Sequence, residues 1–245
     1  TILDDLKRDP TVALRAAYGF FPANAVGDDI LIFDPTQPDA EAEPNVVLHM
    51  LRHQADKGAN SVNFCLADFI APLSGGLRDY IGAFAVTSGE GIHRIAEHAR
   101  TEGDDYRAIM VEALADRLAE AMAEFLHKQA RRDCGFGMTE ELTTEDLLRE
   151  RYRGIRPAPG YPACPDHTEK PRLLALLGGE ASTCIALTES MAMIPPSSVC
   201  GWYINHPDAR YFPVGHIGRD QLEDYAARKQ MSVSEMAAWL SPILD

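Results

Sequence analysis

The stretch Tyr152-Arg-Gly-Ile-Arg156-Pro-Ala-Pro-Gly160-Tyr-Pro-Ala-Cys164-Pro-Asp-His-Thr-Glu-Lys170 decides how the rest of the chain is read. Prolines 157, 159, 162 and 165 each lack an amide donor and clash with the turn before them, which excludes a helix interior. Residues placed before proline are pushed to extended backbone. The stretch therefore reads as a stiff loop between two helices, carrying Arg153, Arg156, Asp166 and Glu169, with Tyr161 held between Gly160 and Pro162. A spacer would use that composition to stay apart from the fold. A binding loop would use it to fix backbone groups and one arginine around a ligand at little ordering cost. Composition alone leaves the two readings level.

Outward from the loop, the pattern mixes helices and strands. On the N-terminal side, 104–132 is a long amphipathic helix with Tyr106, Ile109, Met110, Ala113, Leu114, Leu118, Ala121, Met122, Phe125 and Leu126 at three-and-four spacing, expected inward. Glu112, Asp116, Glu120 and Glu124 recur every four residues on a neighbouring face. A short helix over 144–153, capped by Thr144 with Leu147 and Leu148 inward, delivers Glu150 to the loop. Asp79 to Thr87 is a β-branched and aromatic strand with Gly82 at a close backbone approach. Ile30 to Phe33 is a strand after a turn-rich approach over 19–29, and 34–44 is a hairpin loop. The pattern predicts a short helix over 46–57 and a strand over 64–72. After the loop come a helix over 172–177 stopped by Gly178-Gly179, a helix end or strand over 185–193, and a strand over 199–204 hairpinned to 209–215. Helices over 221–229 and 235–240 close the chain, the second capped by Ser232 and Glu235.

Bulk properties narrow the function. At 245 residues, 46% hydrophobic and 24% charged, the chain can bury a substantial core. A net charge of -14 argues against a general nucleic-acid or anionic-membrane binder. The sequence has no apolar run of membrane-spanning length and no charged-then-apolar leader, so a cytoplasmic protein is expected. Five scattered cysteines without a C-x-x-C fit a reduced compartment, and Cys164 with His167 lacks the second pair a zinc site needs.

Nine ordered blocks resemble one family. They are F-F-P-A-N-A-V-G-D-D-I (20–30), C-L-A-D-F-I-A-P (65–72), D-Y-I-G-A-F-A-V-T (79–87), D-D-Y-R-A-I-M-V-E-A-L-A-D-R-L-A-E-A (104–121), the loop from Gly154 to Lys170, L-T-E-S-M-A-M (187–193), G-W-Y (201–203), H-P-D-A-R-Y-F (206–212) and R-D-Q-L-E-D-Y-A-A-R-K (219–229). Together they resemble the C-terminal reactivation domain of cobalamin-dependent methionine synthase. The resemblance implies an α+β fold, a single helmet-shaped domain over 1–245 with a twisted antiparallel sheet flanked by helices. It implies binding of S-adenosylmethionine, whose methyl group, with one electron from a flavodoxin-like donor, converts cob(II)alamin to methylcobalamin on a partner domain or subunit. The expected activity is thus the reactivation half of a methyltransferase, not the full synthase reaction.

By the same resemblance, Arg156 is similar to the family's partner for the ligand carboxylate, which a planar guanidinium matches with two parallel bonds. Glu150 and Glu120 match acids near the ligand's cationic groups, Tyr161 and Ala163 lie beside the adenosyl moiety, and Tyr211 and Phe212 line the groove. No side chain is expected to act as acid or base, and no metal is expected in this chain. Relative to the family, an N-terminal Asp-Trp-Thr-Pro-type segment is missing, the family's Met-Trp-Pro-Gly is Met193-Ile194-Pro195-Pro196, and 134–138 is altered. D-x-H-x-x-G for cobalamin, zinc cysteines for homocysteine and G-x-G-x-x-G after a strand are all absent. The runner-up is a non-catalytic module that docks on a corrinoid protein without binding S-adenosylmethionine.

Overall fold

The computed structural model describes residues 1–36, 43–55 and 62–245, and they form two compact units. One comprises 1–19, 84–152 and 173–200; the other comprises 20–83, 153–172 and 201–245. The expected α+β class holds, with seven strands and eight α-helices among the described residues. Five strands form one sheet in the order β3-β2-β1-β4-β7, where β1 is Arg15–Val26, β2 Asp29–Ile32, β3 Val46–His49, β4 Asp79–Thr87 and β7 Ser198–Tyr203. β5 (Ala186–Leu187) and β6 (Met193–Ile194) make a separate two-stranded ribbon.

β1 corrects the expected turn-rich approach over 19–29. Val26 pairs with Asp29, so the turn is confined to Gly27-Asp28, with Gly27 at φ 58°. A two-residue hairpin turn needs that positive φ, which glycine adopts without a Cβ clash. Asn24 suits a turn by residue type, but here its side-chain amide donates to the carbonyls of Ala71 (3.0 Å) and Leu77 (2.7 Å), satisfying a buried polar group within the strand. The helix expected over 46–57 is β3 at its start, antiparallel to β2 with Leu48 opposite Ile30. Two adjacent valines favour a pleated surface, and pairing overrides the weak helical spacing. The hairpin loop expected over 34–44 and the end of that helix fall partly at 37–42 and 56–61, outside the described residues. The strand expected over 64–72 is a 3-10 turn, Leu66–Phe69, fixed by the Asp68 carboxylate accepting the Cys65 amide at 2.8 Å. β4 is as expected. It is buried from Ile81 to Thr87, and a Cβ on Gly82 would lie 2.8 Å from that of Tyr203.

In the first unit, α1 (Ile2–Arg8), α2 (Glu90–Thr101) and α3 (Asp105–Asp133) share a core of Leu6, Ile92, Ala96, Ala99, Ala108, Val111 and Ala115. The inward face of α3 corrects the expectation. Ala108, Val111, Ala115, Ala119, Ala123, Leu126 and Ala130 are buried, whereas Tyr106, Ile109 and Phe125 are exposed. A stripe of alanines lets two helices approach closely, so small residues take the centre of the buried face, with Leu126 buried as expected and Leu114 and Leu118 packed at its edge, while Ala113 and Ala121 are exposed. α4 (Thr144–Leu148) is capped by Thr143, not Thr144, in a reciprocal capping box with Asp146.

In the second unit, α7 (Arg219–Lys229) buries Gln221, Tyr225 and Lys229, which share one face at four-residue spacing. α8 (Val233–Leu240) is capped by Ser232, whose hydroxyl accepts the Glu235 amide at 3.2 Å. α5 (Lys170–Leu176) begins here as the proline loop ends, and α6 (Gly179–Thr183) lies in the first unit. Residues 209–215 form no strand, so the expected hairpin with β7 is absent; Pro213 cannot donate to a ladder there.

Candidate functional site

The proline loop is pinned along its length within the second unit. At its start, Ile155 exchanges backbone hydrogen bonds with Ile204 (2.9 and 3.0 Å), the Arg153 Nε donates to the Asn205 carbonyl (2.8 Å), and the Trp202 amide donates to the Pro157 carbonyl (2.8 Å). Proline has no amide to donate, so Pro157 takes part through its carbonyl alone and the pairing stays irregular. Arg156 sits at the point of change: its backbone amide donates to the Tyr211 hydroxyl at 2.9 Å, and its side chain is half-buried. That bond ties together two of the expected ligand residues, 55 positions apart.

The middle of the loop is a tight turn. The Gly160 amide donates to the Cys164 carbonyl (2.7 Å), the Cys164 amide to Tyr161 (2.9 Å), and the Val214 amide to Pro162 (2.7 Å). Gly160 has φ 97°, and a Cβ there would lie 2.1 Å from the His167 Cε1, so the backbone lies flat on that imidazole. Tyr161 is 63% exposed at the tip, while Ala163 is buried below it.

The last third of the loop is held by a buried ionic cluster. Lys229 Nζ donates to Asp166 Oδ2 (2.5 Å), Thr168 Oγ1 (2.6 Å) and Glu169 Oε1 (2.5 Å), which uses all three ammonium protons. The Tyr225 hydroxyl lies 2.8 Å from Asp166 Oδ2 and 3.0 Å from the His49 carbonyl. Arg172 donates to the same Glu169 Oε1 at 3.1 Å. Burial acts to raise the Asp166 pKa, but the Lys229 charge and the hydrogen bonds from Lys229 and Thr168 outweigh it and hold the carboxyl below its ordinary value. Burial, then the Asp166 and Glu169 carboxylates, raise the Tyr225 phenol well above its ordinary value. Nothing in the sequence reading singled out Lys229, Thr168 or Tyr225. The available signal was the dense Asp-His-Thr-Glu-Lys run, which a solvated loop would not place beside Cys164.

The remaining expected residues divide. Phe212 is buried in an aromatic cluster with Phe64 and Phe69, ring centroids 5.9 and 6.4 Å away, so its side chain supports the segment that carries Tyr211. Tyr211 is 42% exposed. Glu120 and Glu150 belong to the other unit. Glu120 is exposed and pairs with Arg117 at 2.7 Å; Glu150 is exposed at φ 52°, where the chain leaves α4. Thus Arg156 and Tyr211 are brought together directly, and Tyr161 and Ala163 stand on the same braced loop.

The family model for the activation domain of vitamin B12 dependent methionine synthase matches residues 1–230. The chain belongs to that family. A solved crystal structure described as the MetH reactivation domain bound to AdoHcy is 52% identical, with a TM-score of 0.94, over 99% of this chain and 74% of that one. Membership in the activation-domain family ties the chain to the methyltransferase chemistry of the synthase and to a partner that carries cobalamin. Among the described residues no helix is long and apolar enough to cross a membrane, and the five cysteines form no disulfide.

Proposed function

We propose that this methionine synthase activation domain binds S-adenosylmethionine at the proline loop and presents its methyl group to a cobalamin held by a partner domain or subunit. The observation that carries the reading is the likeness, at 52% identity over nearly the whole chain, to a reactivation domain bound to S-adenosylhomocysteine, the demethylated form of that ligand. The same likeness disfavours a docking module that binds no ligand.

The ligand carries a carboxylate, an ammonium, a sulfonium and an adenine, and the residue types present fit each of these. The Arg156 guanidinium offers a fixed charge and a planar fork to the carboxylate. Its backbone amide is already committed to the Tyr211 hydroxyl, which fixes that aromatic ring beside the loop, where it would meet a cationic or aromatic group of the ligand. Tyr161 and Ala163 present the adenosyl side of the loop, with Phe212 as support. When bound, S-adenosylmethionine supplies an electrophilic methyl group; with one electron, cob(II)alamin becomes methylcobalamin and S-adenosylhomocysteine is released. The chain's own residues orient and desolvate the donor, and no protein proton moves in that step. We assign the electron to a flavodoxin-like donor, the setting to the cytoplasm, and residues 1–245 to one functional domain.

Titration calorimetry with S-adenosylhomocysteine tests the site. Saturable binding is expected, weakened about 10- to 100-fold in Arg156→Ala because a hydrogen-bonded charge pair is lost. Equal affinity in the variant would remove Arg156 from the site. No binding by the unaltered chain would remove the ligand.

A further inference from the structure

Lys229 lies at the end of α7, fifty-nine residues beyond Lys170, yet it closes the proline loop. Its ammonium is buried, and each of its three protons goes to a different loop residue: Asp166, Thr168 and Glu169. The three are interlocked, since the Thr168 hydroxyl that accepts from Lys229 donates to Asp166 at 2.7 Å and the Thr168 amide donates to the same carboxylate at 2.8 Å. His167 is enclosed in this clasp, with neighbours held on both sides. Its ring is the floor on which Gly160 rests, closely enough that no side chain fits between them. Movement of the 166–169 turn therefore moves the imidazole, and with it the turn that carries Tyr161 and Ala163. The first part of the loop is insulated from this chain of contacts, because Ile155, Pro157 and the Arg156 amide are tied to 202–204 and to Tyr211.

We infer that Lys229 is a positioning residue for ligand binding: it sets the Gly160–Ala163 turn through His167, and so the adenosyl side of the site, while Arg156 is held independently. The role rests on the ligand reading proposed above. A buried lysine serving only to stabilise the fold would weaken every part of the loop equally. A positioning lysine acts on its own third.

The test uses the full chain with Lys229→Met, with amide hydrogen exchange and S-adenosylhomocysteine titration measured side by side, and Arg156→Ala as the reference. The Gly160 and Cys164 amides are expected to lose about tenfold more protection in Lys229→Met than Ile155, Trp202 and Ile204, over and above any loss of global stability that all five share, as a local opening requires. The ligand is expected to bind about tenfold more weakly, corresponding to about 1.4 kcal/mol. Equal loss of protection across all five amides, or none, overturns the inference. Binding by the unaltered chain with unchanged affinity in Lys229→Met overturns the positioning role alone; absence of binding by the unaltered chain overturns the ligand reading and the role together. Should Lys229→Met fail to fold, Thr168→Val removes one of the three Lys229 bonds, and the hydroxyl's own bond to Asp166, without stranding a charge. The same pattern is expected there at about a threefold effect, and an unchanged Gly160 and Cys164 overturns the inference.

Discussion

The proline loop and the long helix α3 are built on opposite principles. The loop has almost no internal regularity, and every few residues it borrows a partner from elsewhere: Ile204, Trp202, Tyr211, Val214 and finally Lys229. α3 satisfies its own backbone through 29 residues and packs by a stripe of small side chains, with side-chain bonds such as Asp116 to Ser197 and Arg131 to Glu140 added at its flanks. The loop is specified by backbone restriction plus scattered hydrogen bonds, so one altered anchor changes one stretch of it. The helix is specified by the size of the residues in its stripe, so an enlarged residue is felt by the whole helix pair.

The largest effect expected from this contrast is on the loop's ionic anchor. Lys229→Met leaves Asp166 and Glu169 buried with Arg172 as the remaining cation, and breaking a buried pair in this way costs about 3–5 kcal/mol. Urea unfolding monitored by Trp202 fluorescence reads this directly, and a loss below about 1 kcal/mol would mean the cluster is not a stabilising anchor. Next comes the helix stripe. Ala115→Leu inserts bulk between α2 and α3 in a core where Ala115 is fully buried, and is expected to lower stability by about 1–3 kcal/mol.

Legibility differed for the same reasons. Pro157, Pro159, Pro162 and Pro165 fix an extended loop whatever surrounds them, so its nature was readable from the residues alone. Family resemblance marked Arg156 and Tyr211, and the bond between them is now visible. The helical spacing of α3 was readable, but its orientation was not. A hydrophobic count weights Tyr106, Ile109 and Phe125 above alanine, whereas a close helix pair needs the alanines inside. β1 was hidden by Asn24, and β3 by spacing that a pair of valines shares with a short helix. The Lys229 clasp could not be read locally, because its partners lie about sixty residues away.

pH sharpens the comparison with a smaller effect from each region. His167 in the loop and His93 in α2 both have pKa values held below the ordinary 6.5, in each case first by burial. For His167 the nearby Lys170 charge adds to the depression; for His93 the Glu112 and Asp116 carboxylates partly oppose it. A histidine with a depressed folded pKa takes its proton more readily when unfolded. Its contribution is therefore complete above pH 6.5 and declines as pH falls through 6.5 towards the depressed value. Stability is expected to fall as pH drops below about 6.5, before carboxylates such as Asp166 begin to protonate, and His167→Gln should flatten part of that slope. A pH-independent stability across this window would contradict the burial assigned to both rings. The smallest effect belongs to the outer face of α3: Tyr106→Ser and Ile109→Ser are expected to change stability by no more than about 0.5 kcal/mol, measured by the same unfolding curve.

The most direct test of the loop as a ligand cradle is a crystal structure of the chain soaked with S-adenosylhomocysteine. The account predicts the amino-acid carboxylate within hydrogen-bonding distance of the Arg156 guanidinium, with Tyr211 still bonded to the Arg156 amide. A ligand bound elsewhere, or an Arg156 side chain turned away from a well-occupied ligand, would contradict it.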